Sequence, residues 1–407
     1  MKHMKTVFFL FFIFFILKGN AQQLETLIDE ALANNPEIQK IDLQYKRVSE
    51  KVNEVNAIPN TEFGVGYFIS EPETRTGAQL FKVSLKQMLP RFGTITAREN
   101  YMSVLADAKY EDIVIAKRKL MASVSQSYYI LYENKAKQEI LSENIKLLET
   151  YETMALTFVE VGKSSAVDVL RLQIRQNELQ QEKELLQKKF LSEQTSFNNL
   201  LNRENDIEVI VVDELLLPDK DNEINDENLL IHPELLKFDK IYQSVEKSEL
   251  LNQKERSPMI GFGLDYINVE ERPDINFKDN GKNIIMPMVS VSIPIFNKKH
   301  KSITNQNNLK QQEINYQKKE RLNRLKTVLD KAINDRISSR ISNNTATKNL
   351  KQAENAEQIL IKRYETGTVD FNDILDIQEL KLKFQMNQIE TVKNYYLQRI
   401  IIDYLTN

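Results

Sequence analysis

Cysteine is absent from the 407 residues, and glycine and proline occur only ten times each. Without cysteine there can be no disulfide, no thiolate metal site and no lipid anchor on an N-terminal cysteine. The three histidines, His3, His232 and His300, are too scattered for a metal centre. No glycine-rich phosphate loop, zinc-ligand spacing or Ser/His/Asp arrangement is recognisable. The expectation is therefore a chain with no cofactor, no metal site and no enzyme activity. No apolar run beyond the first residues reaches the roughly 18 residues of a membrane helix. If the chain crosses a membrane, it must use strands.

The chain begins with Lys2 and Lys5, then Val7–Leu17, eleven uninterrupted apolar residues of which six are Phe. Small residues follow at Gly19 and Ala21. This is the make-up of a secretory signal peptide, expected over 1–21 with cleavage after Ala21. A retained membrane anchor is the competing reading, but eleven residues fall short of the ~20 that span a bilayer. Loss of Lys2, Lys5 and Lys18 takes the net charge from −3 to −6. A mildly acidic chain is not expected to bind nucleic acid.

The positions of the scarce residues carry more than their number. Gly64, Gly66, Gly77 and Gly93 cluster, as do Gly261, Gly263 and Gly281, while Gly162 and Gly367 stand alone. Thr94–Val161 and Asn297–Thr366, 68 and 70 residues, contain neither glycine nor proline. As unbroken helices each would run ~100 Å. Apolar residues recur at helical spacing in the second, at Leu322, Leu325, Leu329, Ile333, Ile337 and Ile341, with Lys, Glu, Gln and Asn elsewhere. That is coiled-coil or long-hairpin character, and such helices need partners along their length. Gly162 and Gly367 read as hairpin tips, each followed by a fresh helix, about 166–201 and 371–405.

The sequence is written twice. Asn35-Pro36-Glu37 matches His232-Pro233-Glu234, and Phe63-Gly64-Val65-Gly66 matches Ile260-Gly261-Phe262-Gly263, both at an offset of 197. Leu89-Pro90 matches Ile293-Pro294 at 204. Gly162 with Asp168-Val169-Leu170 and Gln173 matches Gly367 with Asp373-Ile374-Leu375 and Gln378 at 205. Four matches in one order mark an internal repeat. The expected organisation is a first repeat over 22–205, a linker over 206–225 and a second repeat over 226–407. Strands are expected near 61–70, 79–89, 258–267 and 285–295, with hairpin tips near Gly162 and Gly367. A short strand over Ile207–Leu217 is also expected.

The four strands alternate. Phe63, Val65, Tyr67 and Ile69 oppose Gly64, Gly66, Phe68 and Ser70; Phe81, Val83 and Leu85 oppose Lys82, Ser84 and Lys86. Ile260, Phe262, Leu264 and Tyr266 oppose Gly261, Gly263 and Asp265; Val289, Val291 and Ile293 oppose Met288, Ser290 and Ser292. A small soluble sheet with one buried face fits alternation alone. The Gly, Ser, Lys and Asp on the second faces, and the polar loops 71–79 and 268–283, favour membrane strands around a water-filled lumen. Four strands cannot close a barrel, so several chains must pool them.

This ordered, duplicated set resembles the TolC family of outer-membrane efflux proteins over essentially the whole chain after the signal. The residues that carry it are Asn35-Pro36-Glu37, the hairpins ending at Leu89-Pro90 and Ile293-Pro294, and the tip motif, clearest as Tyr364-Glu365-Thr366-Gly367 and Asp373-Ile374-Leu375-Asp376-Ile377-Gln378. The resemblance implies a mainly α fold with a small β part. Long α-helical hairpins would form a periplasmic tunnel, and four strands would join a trimeric twelve-stranded transmembrane β-barrel. It implies a homotrimer in outer-membrane lipid, docked to a periplasmic adaptor (membrane fusion) protein and an inner-membrane RND or ABC-type transporter. The duct itself would be passive, in efflux or type I secretion. It implies a pore gate at the periplasmic entrance from Asp373 and Asp376, and adaptor contacts from Gly162, Lys163, Ser164, Gly367, Thr368 and Val369. Asp373 also sits where a helix start favours negative charge, as Asp168 does in the first copy, and the tip residues also serve turn chemistry. Val369 stands where some members carry a basic gate residue. The alternative is a soluble periplasmic coiled-coil scaffold or adaptor without a pore.

Overall fold

The computed structural model describes residues 19–162, 165–221, 223–224, 226–273, 276–295, 298–366 and 368–406. Of the expected signal peptide, residues 1–18 lie outside the described residues. The helices are α1 (Gly19–Asn34), α2 (Pro36–Val55), α3 (Thr94–Glu160), α4 (Ala166–Leu201), α5 (Pro233–Glu255), α6 (Lys299–Glu365) and α7 (Phe371–Thr406). The strands are β1 (Glu62–Tyr67), β2 (Glu73–Thr74), β3 (Gly77–Leu89), β4 (Met259–Val269) and β5 (Ile284–Ser292). A 3-10 turn covers Asp226–Ile231. α3 and α6 are 67 residues each, α4 and α7 36 each.

Helix starts follow from capping chemistry. The Glu37 N–H donates to Asn35 Oδ1 at 2.9 Å, and Pro36 occupies the first helical position, where its missing N–H costs nothing. In the second copy Pro233 opens α5. There His232 is buried, and its Nε2 lies 3.2 Å from the Tyr404 carbonyl oxygen.

By contacts the chain divides into two compact units. The first comprises 1–40, 114–232 and 322–407. One of its apolar clusters centres on Val124, Tyr128, Leu131, Phe197 and Leu201. The other centres on Leu141, Leu148, Leu172, Leu179, Phe371 and Ile374. The seven-residue steps Leu172–Leu179–Leu186 and Leu141–Leu148 are those of a coiled-coil seam. On α6 the buried positions include Leu325, Leu329, Ala332, Arg336, Ala346 and Ala353, whereas Ile337 and Ile341 are exposed. The apolar stripe expected from sequence therefore splits. The seven-residue steps stay inside, and the residues spaced by four drift around the helix to an outer face.

No strand forms over 207–217 among the described residues. Side chains satisfy this backbone instead. The Val212 and Leu215 N–H groups donate to the Tyr128 and Tyr132 hydroxyls at 3.1 and 3.2 Å, and the Tyr396 hydroxyl donates to the Leu216 carbonyl at 2.7 Å. Burial pushes the Tyr128 and Tyr132 hydroxyl pKa values up.

The second unit comprises 41–113 and 233–321. Its antiparallel sheet has the order β1-β3-β4-β5, with β2 beside the start of β3. The central β3–β4 pair joins strands from the two halves of the sequence. The register sets Val65, Val83 and Tyr266 in one row and Phe63, Leu85, Leu264 and Pro287 in the next. One sheet face is therefore almost wholly apolar. On it Phe63, Val65, Tyr67, Phe262, Leu264, Val289 and Val291 are exposed. β1 and β5 are both open edges, and Pro287 is tolerated in β5 for that reason.

Candidate functional site

At the start of α7 the Asn372 N–H donates to Asp370 Oδ1 at 2.9 Å, so Asp370 is the cap. Asp373 and Asp376 follow one turn apart, both exposed. The first copy solves the same problem differently. Val167 N–H donates to Ser165 Oγ at 3.2 Å, and Ser165 N–H donates to Asp168 Oδ2 at 3.3 Å. Asp168 closes a capping box, whereas Asp373 is not needed for the cap. Glu379, also exposed, continues the acidic stripe by one more turn; it lies past the repeated motif and was missed in the sequence. Arg171 on α4 hydrogen-bonds Asn372 on α7. A cavity of about 320 Å³ there is lined by Arg171 and Arg175 from α4 and Asp376 and Glu379 from α7.

A polar and aromatic layer fixes this face. Gln378 Nε2 donates to Asn144 Oδ1 at 2.6 Å, and Asn144 Nδ2 donates to Gln385 Oε1 at 3.1 Å. Lys381 Nζ lies 2.7 Å from Glu357 Oε2, whose other oxygen accepts from the Tyr151 hydroxyl at 2.8 Å. Burial, then the neighbouring Glu357 charge, raises the Tyr151 pKa. Tyr364 meets Phe158 and Phe371, with ring centroids 5.1 Å apart in both pairs. Phe158 and Tyr364 are thus packed partners at positions where the two sequence copies differ.

At the hairpin tips, Gly162 takes φ +71° with open space around it. Thr366 and Thr368 both donate their hydroxyls to the Arg363 carbonyl, at 2.8 and 3.0 Å, closing the end of α6. Val369 is half-buried and packs on the aromatic cluster, so little of it is left for a partner. Lys163, Ser164 and Gly367 lie outside the described residues.

In the sheet, the face opposite the apolar one carries Gly64, Gly66, Lys82, Ser84, Lys86, Gly261, Gly263 and Asp265. Lys82 Nζ lies 2.5 Å from Asp265 Oδ2, and Asp265 is fully buried. The sequence placed both residues on this face but did not show that they pair. The sheet thus has an apolar side and a side of small and charged residues. Among the described residues no helix is long and apolar enough to cross a membrane, which says nothing of strands.

Residues 27–203 match the family model described as outer membrane efflux protein. That match spans 177 of the 407 residues, just under half of the chain. No curated protein matches it in sequence. Among solved structures it is similar to CusC (TM-score 0.78, 14% identity, covering 95% of this chain and 92% of that one). It is similar to VceC of Vibrio cholerae (0.75, 15%, covering 95% and 96%). It is also similar to the open state of the MtrE channel of Neisseria gonorrhoeae (0.69, 16%, covering 92% and 88%). At such identities the likeness establishes the fold. The matched family model describes outer membrane efflux proteins, and MtrE is an outer-membrane channel. Such channels act as trimers with adaptors and inner-membrane pumps.

Proposed function

We propose that three copies of this chain pool their sheets into one twelve-stranded barrel. β5 of each copy would pair with β1 of the next, and the helical hairpins would form the periplasmic tunnel. The observation that carries this is the sheet itself, with one exposed apolar face and two unpaired edges. In hydrocarbon every unsatisfied backbone group costs several kcal/mol, so a four-stranded sheet with open edges cannot stand alone there. A head-to-tail contact between different edges closes into a ring when the rotation per copy is a third of a turn.

The tip of α7 is then the periplasmic entrance. Asp373 and Asp376, joined by Glu379, repeat three times around the axis and form acidic rings. Such rings attract cations. The duct is passive and receives its cargo from an inner-membrane RND or ABC-type pump through a periplasmic adaptor. The adaptor seats on the hairpin tips, at Gly162, Lys163, Ser164, Gly367 and Thr368 and the exposed remainder of Val369. Export to this site entails removal of the signal peptide after Ala21.

Native cysteine is absent, so an introduced pair reports only itself. With Val65→Cys on β1 and Val289→Cys on β5, a thiol crosslinker should give dimer and trimer bands from intact membranes. Intrachain products alone, with no ladder, would refute the shared barrel.

A further inference from the structure

At one end of the sheet, where strands give way to helices, a cavity of about 390 Å³ opens inside the second unit. It is lined by the residue after β3, by Met259 and Ser292 at strand ends, by the last turn of α5 and by the first turns of α3 and α6. Five side chains around it are basic or imidazole: Arg91, Arg98, Lys254, Lys299 and His300. Among the described residues lining it, Glu255 is the one acid. Glu255 is already committed, its Oε1 accepting from Arg98 Nε and Nη2 at 3.1 and 2.8 Å. Among the described residues Arg91 Nη1 donates to the neutral Ser257 hydroxyl, at 2.5 Å, and to no carboxylate. Lys254 has no ion-pair partner among the described residues.

Two helix N-termini face this cavity, and neither α3 nor α6 has an acidic residue in its first turn. Their positive ends are therefore uncompensated within the helices. α5 presents the opposite pole, and Lys254 in its last turn offsets it. A further observation points to a ligand. Thr94 is 2% exposed, it lines the cavity, and its Oγ1 has no hydrogen-bond partner among the described residues. A buried hydroxyl left unpaired costs free energy that a bound acceptor would recover.

The neighbourhood names the source of that acceptor. Phe92 is 97% and Ile295 72% exposed, with Ile293 also exposed, directly beside the basic residues. Apolar side chains next to a cationic pocket suit the boundary where acyl chains meet headgroups.

We propose that this cavity binds the phosphate group of an anionic phospholipid in the periplasmic leaflet. Arg91, Lys254 and Lys299 supply charge, the helix ends and the Thr94 hydroxyl supply hydrogen bonds, and Phe92 and Ile295 lie along the acyl chains. The lipid pins the junction between barrel and tunnel at a fixed depth. This rests on the reading that the sheet spans the outer membrane.

The test uses the full-length protein in detergent, read by native mass spectrometry with phosphatidylglycerol, phosphatidylcholine or inorganic phosphate added. The expected result is retention of phosphatidylglycerol over phosphatidylcholine. It should fall ~10-fold or more in Arg91→Gln/Lys254→Gln, since each basic residue near a membrane surface contributes roughly a fivefold preference for anionic lipid. Both side chains are exposed, so the double variant is expected to fold; Thr94→Val, nearly isosteric, gives a second and milder loss. Equal retention of both lipids, unchanged in the variants, overturns the proposal. Phosphate held as tightly as phosphatidylglycerol keeps the anion site and overturns the lipid as its occupant. Trimer mass and bilayer conductance recorded on the same sample separate failure of this site from failure of the channel reading.

Discussion

Lys381 on α7 and Glu357 on α6 form an ion pair of 2.7 Å, with side chains only 15% and 8% exposed. Breaking one partner of such a pair strands the other charge in a poorly solvated place, which costs about 3–5 kcal/mol. Lys381→Met should therefore lower the unfolding midpoint of the purified protein sharply. Lys381→Met/Glu357→Gln should recover most of the loss, because it removes both charges and keeps an acceptor for the Tyr151 hydroxyl. A double variant no more stable than the single one would show that the pair is not what holds this layer.

Asp221 ties the linker to two helices of the second repeat. It accepts from Arg340 Nη2 at 2.7 Å and from the Tyr395 hydroxyl, with Arg336 Nε at 3.8 Å. Burial works against its ionisation, but the hydrogen bonds from Arg340 and Tyr395 and the arginine charges outweigh it and hold its pKa below the usual carboxylate value. A depressed carboxyl contributes stability above its unfolded pKa, and that stability is lost as pH falls through the folded pKa. Asp221→Asn should cost a few kcal/mol at pH 7. Denaturant midpoints of wild type and variant should converge below about pH 4. A gap that stays constant down to pH 3 would contradict the assignment.

Much of the fold was legible in the sequence because glycine and proline are rare and their positions carry meaning. The stretches lacking both became α3 and α6, and Gly162 ends α3 at positive φ. Alternation gave the two sheet faces, since a strand's period of two leaves no other choice. Periodicity misjudged two places. Ile207–Leu217 reads as a strand by composition, but tyrosine hydroxyls satisfy its backbone, and no local pattern encodes a distant side chain. Ile337 and Ile341 read as core, but the seam follows steps of seven. At the candidate site, Asp373 was visible through the repeat, and Asp376 through the tip motif that carries the family resemblance. Glu379 and the pairing of Lys82 with Asp265 were not, because neither belongs to a duplicated motif.

Gly77 and Gly66 are near neighbours in sequence with opposite tolerances. Gly77 has φ +135°, and a Cβ there would lie 1.8 Å from the Glu270 carbonyl oxygen; at Gly66 nothing lies within 4 Å. Gly77→Ala should destabilise the interlocked loops by ~1–3 kcal/mol and lower the yield of assembled protein in membranes. Gly66→Ala should leave the yield unchanged. Equal yields for both would show that the loop contact does not matter for assembly.

The acidic stripe at the α7 tip predicts cation selectivity. Asp376→Asn should weaken block by multivalent cations, and adding Glu379→Gln should weaken it further. Ion selectivity from reversal potentials across a salt gradient checks this. Unchanged selectivity in the double variant would remove both residues from the pore.

Conductance of the purified protein in planar lipid bilayers tests the central claim most directly. The predicted result is discrete, uniform current steps, small in the wild type and larger in Asp373→Asn/Asp376→Asn. Silence from both proteins at concentrations where each is a detergent-soluble trimer would contradict the claim that this chain forms a gated channel.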